Sequence, residues 1–188
     1  MKNLTEHLSQ YALYHRDQRN IKTHYIGIPL IIVAIFSLLS LPLVSLAGIM
    51  LTPALLLFIA TALFYFRLDL RFGLVMLLFS GSCFALATLL AAQPFAVWLG
   101  SSLLLFAIGW LLQFIGHYYE GKKPAFVDDI VGLFVGPLFV VAEMGFALGL
   151  RKALQHEIEQ LAGKVHLAEK SNIGRPGLLI VSSPCCHC

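Results

Sequence analysis

Two long runs without charged side chains limit what this chain can fold into. Residues 25–66 and 72–119, runs of 42 and 48 residues, contain no Asp, Glu, Lys or Arg. A bilayer core needs about 20 apolar residues for each crossing helix, so each run is long enough for two passes. Charged residues make up 12% of the chain, about half the share found in soluble domains. This composition excludes an ordinary soluble globule, a disordered chain and a nucleic-acid-binding protein.

Prolines and glycines divide the two runs. Pro42 and Gly48 interrupt the first run, and Gln93 with Pro94 interrupts the second. Such residues end helices or form the turns between them. The sequence therefore predicts an all-α integral membrane helical bundle with four transmembrane helices, near residues 25–44, 48–66, 72–92 and 95–119.

The basic residues indicate how the four helices are oriented. Those that flank the predicted helices all fall on one side of a four-pass bundle. The positive-inside rule makes that side cytoplasmic, so we expect a multi-pass protein with a cytoplasmic N-terminus. The residues concerned are Arg16, Arg19, Lys22, Arg67, Arg71, Lys122 and Lys123.

A fifth apolar segment, residues 130–150, differs from the other four. It contains Pro137, which interrupts helical hydrogen bonding, and Glu143, whose carboxylate is costly inside a bilayer. Arg151 and Lys152 follow the segment and stay on the cytoplasmic side only if it does not cross. We therefore favour a broken or re-entrant segment over a fifth crossing. Glu143 is either a buried polar partner or part of a site.

The remaining parts of the chain are more polar and complete the predicted organisation. Residues 1–24 form a cytoplasmic N-terminal helix and histidine segment rather than a signal peptide, and residues 25–150 form the membrane domain. Residues 151–170 are expected to form an exposed or interfacial helix. Residues 171–188 are expected to be a flexible tail, whose terminal Cys-Cys-His-Cys run lacks the spacing of a zinc finger.

The predicted topology brings two groups of polar residues to the same membrane face. His15 and His24 precede the first helix, and His117 lies at the end of the fourth. Gln113, His117 and Glu120 are spaced i, i+4, i+7, so they share one face of that helix. The side chains at the two places can therefore meet.

A break in the chain is needed before His15 and His24 can reach one site. They are nine positions apart and point to opposite sides of a straight helix. The polar residues 16–20 offer a break, and Asn20 is the predicted cap of the helix that carries His24.

Three imidazoles at one membrane face indicate a metal site. Imidazole suits iron, zinc and copper, and a neighbouring carboxylate favours non-haem Fe(II). We expect His15, His24 and His117 to bind the metal, with no catalytic residue beyond this centre. The alternative is that these histidines are ordinary polar groups at the headgroup level. The residues expected to orient the rings or to contact an acidic substrate head are Tyr14, Asn20, Gln113, Glu120, Lys122 and Lys123.

Two segments carry a resemblance to a known family. They are YALYHRDQRNIKTHYIGIP, which contains His15 and His24, and GWLLQFIGHYYEGKKPAFVDDIVGLFVGPLF, which contains His117. In these motifs the chain resembles the 2-hydroxy fatty acid dioxygenase family, over roughly residues 8–150. The middle helices match only in being apolar, and the tail after Leu150 has no counterpart.

The resemblance implies an integral membrane enzyme with Fe(II) as its cofactor. The implied reaction is α-oxidation, in which a 2-hydroxy fatty acid and O2 yield a fatty acid one carbon shorter and CO2. His15, His24 and His117 occupy the positions of family histidines implicated in iron binding, whereas the spacing from His117 to Glu120 departs from the family. The implied location is the inner membrane for a bacterial chain and the endoplasmic reticulum for a eukaryotic one.

Two other functions stay open from the residues alone. A zinc hydrolase acting on membrane lipids can use the same three imidazoles, and metal analysis separates it from an iron enzyme. A non-catalytic scaffold or small transporter needs no metal, but transporters gather polar residues at the membrane midplane rather than at one face. The seven histidines also lack the repeated HxxxH boxes of a di-iron desaturase.

Overall fold

The computed structural model describes residues 2–41, 44–46, 49–123 and 131–166. Within these ranges the chain forms seven helices and one short antiparallel hairpin, so the predicted all-α class is confirmed as a helical fold. Ser45 of the first strand lies opposite Met50 of the second. The elements in chain order are α1 (Leu4–Ala12), α2 (Gln18–Leu38), β1 (Val44–Leu46), β2 (Ile49–Leu51), α3 (Pro53–Leu68), α4 (Leu70–Ala91), α5 (Phe95–Glu120), α6 (Gly132–Ala147) and α7 (Lys152–Ala162).

Three helices, α2, α4 and α5, are long and apolar enough to cross a membrane, with 21, 22 and 26 residues. These lengths fit a membrane helical bundle, but the predicted four spans plus a fifth segment are not confirmed. The second predicted span, residues 48–66, is represented by α3, an apolar helix of 16 residues. It starts late because β2 and the Thr52 cap occupy its first positions, with the Thr52 hydroxyl accepting from the Leu55 backbone N–H at 3.1 Å.

The fifth apolar segment is bent where α6 meets α7. The two helices are long and apolar enough for one span only when taken together, and their axes are 117° apart. Gly149 and Arg151 both have positive φ at the bend, 75° and 52°. Left-handed backbone ends a helix, and glycine adopts it without steric cost. The geometry is that of a broken span or a re-entrant loop.

The contact between α2 and α5 depends on small residues. A Cβ atom on Gly27 would lie 2.9 Å from the Gly109 carbonyl oxygen, and a Cβ on Gly109 would meet the Gly27 carbonyl at the same distance. Further along α5, Gly116 lies so close to Asn20 and Thr23 that a Cβ atom on it would clash with both side chains. Glycine therefore allows the two backbones to approach at the ends that carry the histidines.

Helices α1 and α7 cover the histidine end of the bundle. Leu8 and Ala12 of α1 and Ile158 of α7 are buried in one core cluster that also contains Leu138 and Phe139 of α6. Helix α7, expected to be exposed or interfacial, buries Leu154 and Ile158, and its other residues are exposed or half-buried.

Some predicted features lie outside the described residues. They are the turn residues Pro42 and Gly48, the first residue of the fifth segment, the last residues of the helix predicted at 151–170, and the tail 171–188 with its Cys-Cys-His-Cys run.

Candidate metal centre

Three histidines from separate parts of the chain meet inside the bundle. His15 comes from the loop between α1 and α2, His24 from the second turn of α2, and His117 from the last turn of α5. Their exposed fractions are 0%, 1% and 6%. One ring nitrogen of each lies within 4.8 Å of the others. The structure therefore brings together all three residues predicted to bind a metal.

Backbone carbonyls orient two of the three rings. The Nδ1–H of His15 donates to the Tyr11 carbonyl at 2.8 Å, and the Nδ1–H of His24 donates to the Asn20 carbonyl at 2.9 Å. Because a carbonyl oxygen only accepts, both neutral rings carry their hydrogen on Nδ1 and a lone pair on Nε2. This arrangement leaves the two Nε2 atoms free to bind a cation.

The two free nitrogens face each other. The Nε2 atoms of His15 and His24 are 3.1 Å apart, a hydrogen-bond distance with no hydrogen on either atom. Two lone pairs at this distance repel each other unless a cation lies between them. Two nitrogens bound to one ion at right angles, each at ~2.1 Å, lie ~3 Å apart. The pair is therefore spaced as two ligands of one metal ion.

Burial keeps these rings in the ligand form. Burial lowers the pKa of His15 well below its usual value, because the charged imidazolium is disfavoured away from water, and the neighbouring His24 adds to the effect. The hydrogen bond to Tyr11 only partly opposes this change in pKa. Among the described residues, the Nδ1 of His117 is also buried without a hydrogen-bond partner. Neutral imidazoles with unused nitrogens fit a transition metal such as iron or zinc.

Glu120 holds the loop that carries His15. Its Oε1 accepts from the Arg16 backbone N–H at 2.9 Å, and its Oε2 accepts from the Asp17 N–H at 2.8 Å and the Asn20 amide at 3.0 Å. The carboxylate thus acts on the backbone beside His15 and on the residue whose carbonyl orients His24. Its position supports an orienting role.

The chain breaks between the two histidines as expected, but a different residue caps α2. Asp17 is the cap, and its carboxylate accepts from the Arg19 backbone N–H at 2.8 Å. Asn20 was predicted for this role and instead lies inside the helix, fully buried. Asp17 takes the cap because the loop ends there, whereas the Asn20 amide is held by Glu120 on the neighbouring helix.

Two neighbours of the site were not predicted from the sequence. The Tyr11 ring stacks on His15, with ring centres 4.1 Å apart and planes 3° from parallel. Arg16 pairs with Glu143 at 3.0 Å, and both side chains are nearly buried. Arg16 also donates to the carbonyls of His15 and Gly163. Glu143 is thus a buried polar partner. The sequence signal for this pair was Glu143 itself, because an isolated acid in an apolar segment needs a basic partner.

Of the other predicted site residues, Gln113 lies beside the histidines, Tyr14 contacts Asn20, and the two lysines are exposed. Gln113 is buried and lines a cavity beside His24 and His117. Tyr14 offers its backbone carbonyl to the Asn20 amide at 3.3 Å. Lys122 is exposed and donates from Nζ to the Leu13 carbonyl at 2.7 Å, which ties α5 to the loop after α1. Lys123 lies on the exposed surface.

An apolar cavity of about 250 Å³ opens directly beside the histidines, between α2, α5 and α6. Its polar lining is concentrated at one end, where Gln113 lies next to His24 and His117. Within the described residues, the Gln113 Nε2 has no hydrogen-bond partner. A ligand with a polar head and an apolar chain matches this distribution of side chains. The apolar walls include Ile28, Ile31, Ile35, Phe106, Trp110 and Pro137.

Comparison with known proteins identifies similar chains. A model of the family described as 2-hydroxy-palmitic acid dioxygenase Mpo1-like matches residues 1–148. A relative from Saccharomyces cerevisiae, the 2-hydroxy-palmitic acid dioxygenase MPO1, is 32% identical over 172 residues, covering 84% of this chain and 90% of the relative. No solved structure matches the chain. The range matched by the family model contains all three histidines.

Proposed function

Because the chain belongs to the Mpo1-like family, as its histidine motifs predicted, we propose that it is an Fe(II)-dependent 2-hydroxy fatty acid dioxygenase. The family supports a fatty acid dioxygenase role. The observation that carries the finer proposal is the pair of facing Nε2 atoms of His15 and His24, 3.1 Å apart at the end of an apolar cavity. A cation held there would lie beside the polar head of an acyl chain that occupies the cavity.

The proposed reaction balances without a separate reductant. The 2-hydroxy acid and O2 give the carboxylic acid one carbon shorter, CO2 and water. The bond between C1 and C2 breaks, C2 becomes the new carboxyl carbon, and the substrate loses four electrons that reduce O2. The organic substrate therefore supplies every electron, and a co-substrate such as 2-oxoglutarate is not needed.

The protein's own residues have distinct tasks in this proposal. His15, His24 and His117 would hold the iron, which would supply the redox chemistry when bound. The Gln113 amide donates a hydrogen bond to the substrate head. The apolar walls hold the chain and exclude water. Glu120 keeps the loop of His15 in place through its contacts with the Arg16 and Asp17 backbone.

We further propose that the substrate enters from the lipid bilayer. The apolar helices support membrane association. A multi-pass protein with a cytoplasmic N-terminus places the histidines at the cytoplasmic end of the bundle. A fatty acid then enters the cavity from one leaflet, with its head at the membrane interface and its chain among α2, α5 and α6.

The central test combines metal content with turnover. The full chain is purified without oxygen, loaded with Fe(II), and given 2-hydroxypalmitate and O2. We expect about one iron per chain, and pentadecanoate and CO2 in equal amounts. Stable binding of zinc with hydrolysis of a lipid ester, and no shortened acid, would contradict the proposal and favour a zinc hydrolase. A chain that binds no metal and shows no turnover would favour a scaffold.

Replacing Gln113 by leucine is expected to weaken use of the substrate without removing iron. A hydrogen bond to a charged group contributes about 1.5–3 kcal/mol, so kcat/KM should fall by roughly 10–150-fold. Gln93→Leu is the matched control, because Gln93 is exposed in the turn between α4 and α5. Unchanged kcat/KM in the Gln113 variant would show that this amide does not contact the head.

A further inference from the structure

A second cavity lies beside the first one, at the part of it that is farther from the histidines. It has a volume of about 170 Å³ and lies between α2, α3, α4 and α6. Ile32, Ile35, Leu133 and Pro137 line both cavities. The two cavities are therefore adjacent, and a flexible chain that occupies both passes these four side chains.

The two cavities together have the length of a long acyl chain. Their lining on α2 runs from His24 to Phe36, twelve positions and therefore about 18 Å along the helix axis. The first cavity alone reaches Ile35, and the second adds room beside this deep end, toward α3 and α4. The hydrocarbon layer of one leaflet is ~15 Å thick, half of the ~30 Å bilayer core, and its lipids span it with one long chain. A chain of that length would start at the histidines and end in the second cavity.

The hydroxyl groups at the second cavity are already hydrogen-bonded. Thr61 Oγ1 donates to the Phe58 carbonyl at 2.9 Å, and Ser80 Oγ donates to the Met76 carbonyl at 2.6 Å. The Tyr65 hydroxyl donates to the Phe134 carbonyl at 2.9 Å. These donors have no hydrogen left for a ligand, so the cavity presents an apolar surface. The unpartnered Gln113 amide lies at the opposite end. This polarity fixes the direction in which an acyl chain lies.

We infer that the second cavity binds the methyl end of the acyl chain and that Thr61 and Leu57 on its α3 wall determine which chain lengths are used. The inference rests on the proposed function for the identity of the head group. Each methylene buried in an apolar site contributes about fourfold to binding at 25 °C. Filling the cavity should therefore reject long chains stepwise, and enlarging it should admit longer ones.

Substituting both wall residues tests the direction of the effect. Specificity constants are compared for 2-hydroxylaurate, 2-hydroxymyristate, 2-hydroxypalmitate and 2-hydroxystearate. With Thr61→Phe, the ratio of 2-hydroxypalmitate to 2-hydroxylaurate should fall about tenfold or more, because room for at least two methylenes is lost. With Leu57→Ala, the ratio of 2-hydroxystearate to 2-hydroxypalmitate should rise about fourfold. A gain for the longer substrate cannot come from partial unfolding.

A matched control separates the cavity from general effects of the substitution. Thr88 on α4 is exposed and, like Thr61, its hydroxyl donates to a carbonyl three residues earlier. Thr88→Phe should leave all ratios as in the wild type. Ratios that stay at the wild-type values in both Thr61→Phe and Leu57→Ala would overturn the inference.

A binding measurement distinguishes failure of this inference from failure of the proposed function. Trp110 lines the first cavity, and Trp98 is the second tryptophan of the chain. In a Trp98→Phe background, a fatty acid brominated in mid-chain should quench Trp110 fluorescence. If no 2-hydroxy acid is turned over, the proposed function fails. The inference about the cavity is still supported if Thr61→Phe binds brominated palmitate more weakly, relative to brominated laurate, than its parent protein does. The same ratio of palmitate to laurate affinity in Thr61→Phe and in its parent would overturn the inference about the cavity.

Discussion

Replacing His24 by alanine is expected to remove the bound iron and, with it, turnover of 2-hydroxypalmitate. His24 is 1% exposed, and its Nε2 faces that of His15 at 3.1 Å, so alanine leaves this position without a ligand atom. Replacing residues that only orient ligands costs roughly 10–100-fold in metal affinity or activity. Loss of one of the three ligands should lower metal affinity by more than this factor. Iron per chain and product formation are measured in the same preparation.

His156→Ala is the matched control for this substitution. His156 is exposed on α7, where its ring contacts Gln160. It should keep the iron content and turnover of the wild type. Wild-type iron in His24→Ala, with the fold intact by circular dichroism, would show that the metal centre is not where the three rings meet.

Replacing Glu120 by glutamine is expected to weaken iron binding about 10–100-fold and to destabilise the fold. The carboxylate accepts hydrogen bonds from the Arg16 and Asp17 backbone and from the Asn20 side chain, and an amide can accept at only one of its two ends. The NH2 group would face hydrogen-bond donors. The free energy of unfolding should fall by about 1.5–3 kcal/mol, and iron affinity should fall with it because the loop of His15 loosens.

Two measurements separate orientation of the site from simple destabilisation. Excess Fe(II) should restore turnover in Glu120→Gln, because the three ligands remain and only their affinity is reduced. Glu157→Gln, on the exposed surface of α7, should change neither iron affinity nor stability. If Glu120→Gln unfolds more easily but binds iron with wild-type affinity, Glu120 has no role in holding the ligands.

Sequence reasoning was most successful where one physical rule dominated. The charge-free runs predicted helices, and the spacing of Gln113, His117 and Glu120 predicted one shared face on α5. The nine-residue separation of His15 and His24 required a break, which the loop before α2 provides. The family followed from the motifs around these same histidines and is confirmed.

Sequence reasoning was less successful where two local rules compete or where a side chain contacts a residue that is distant in sequence. Asp17 and Asn20 are both good caps, and only the contact of Asn20 with Glu120 on α5 decides between them. The carbonyls of Tyr11 and Asn20 orient the rings, although side chains were expected to do so. The span near residues 48–66 was predicted too long because a hairpin of two three-residue strands leaves no periodicity to detect.

The sequence alone determined that the chain is helical and apolar, that its charges are few, and which histidines are candidates for a metal. These are properties of single residues and of short periodic patterns. Only the tertiary structure decided that the Nε2 atoms of His15 and His24 face each other as two lone pairs, that Arg16 pairs with Glu143, and that two cavities share lining residues along α2. These features depend on side chains from different helices meeting at atomic distances, and no local pattern encodes that meeting.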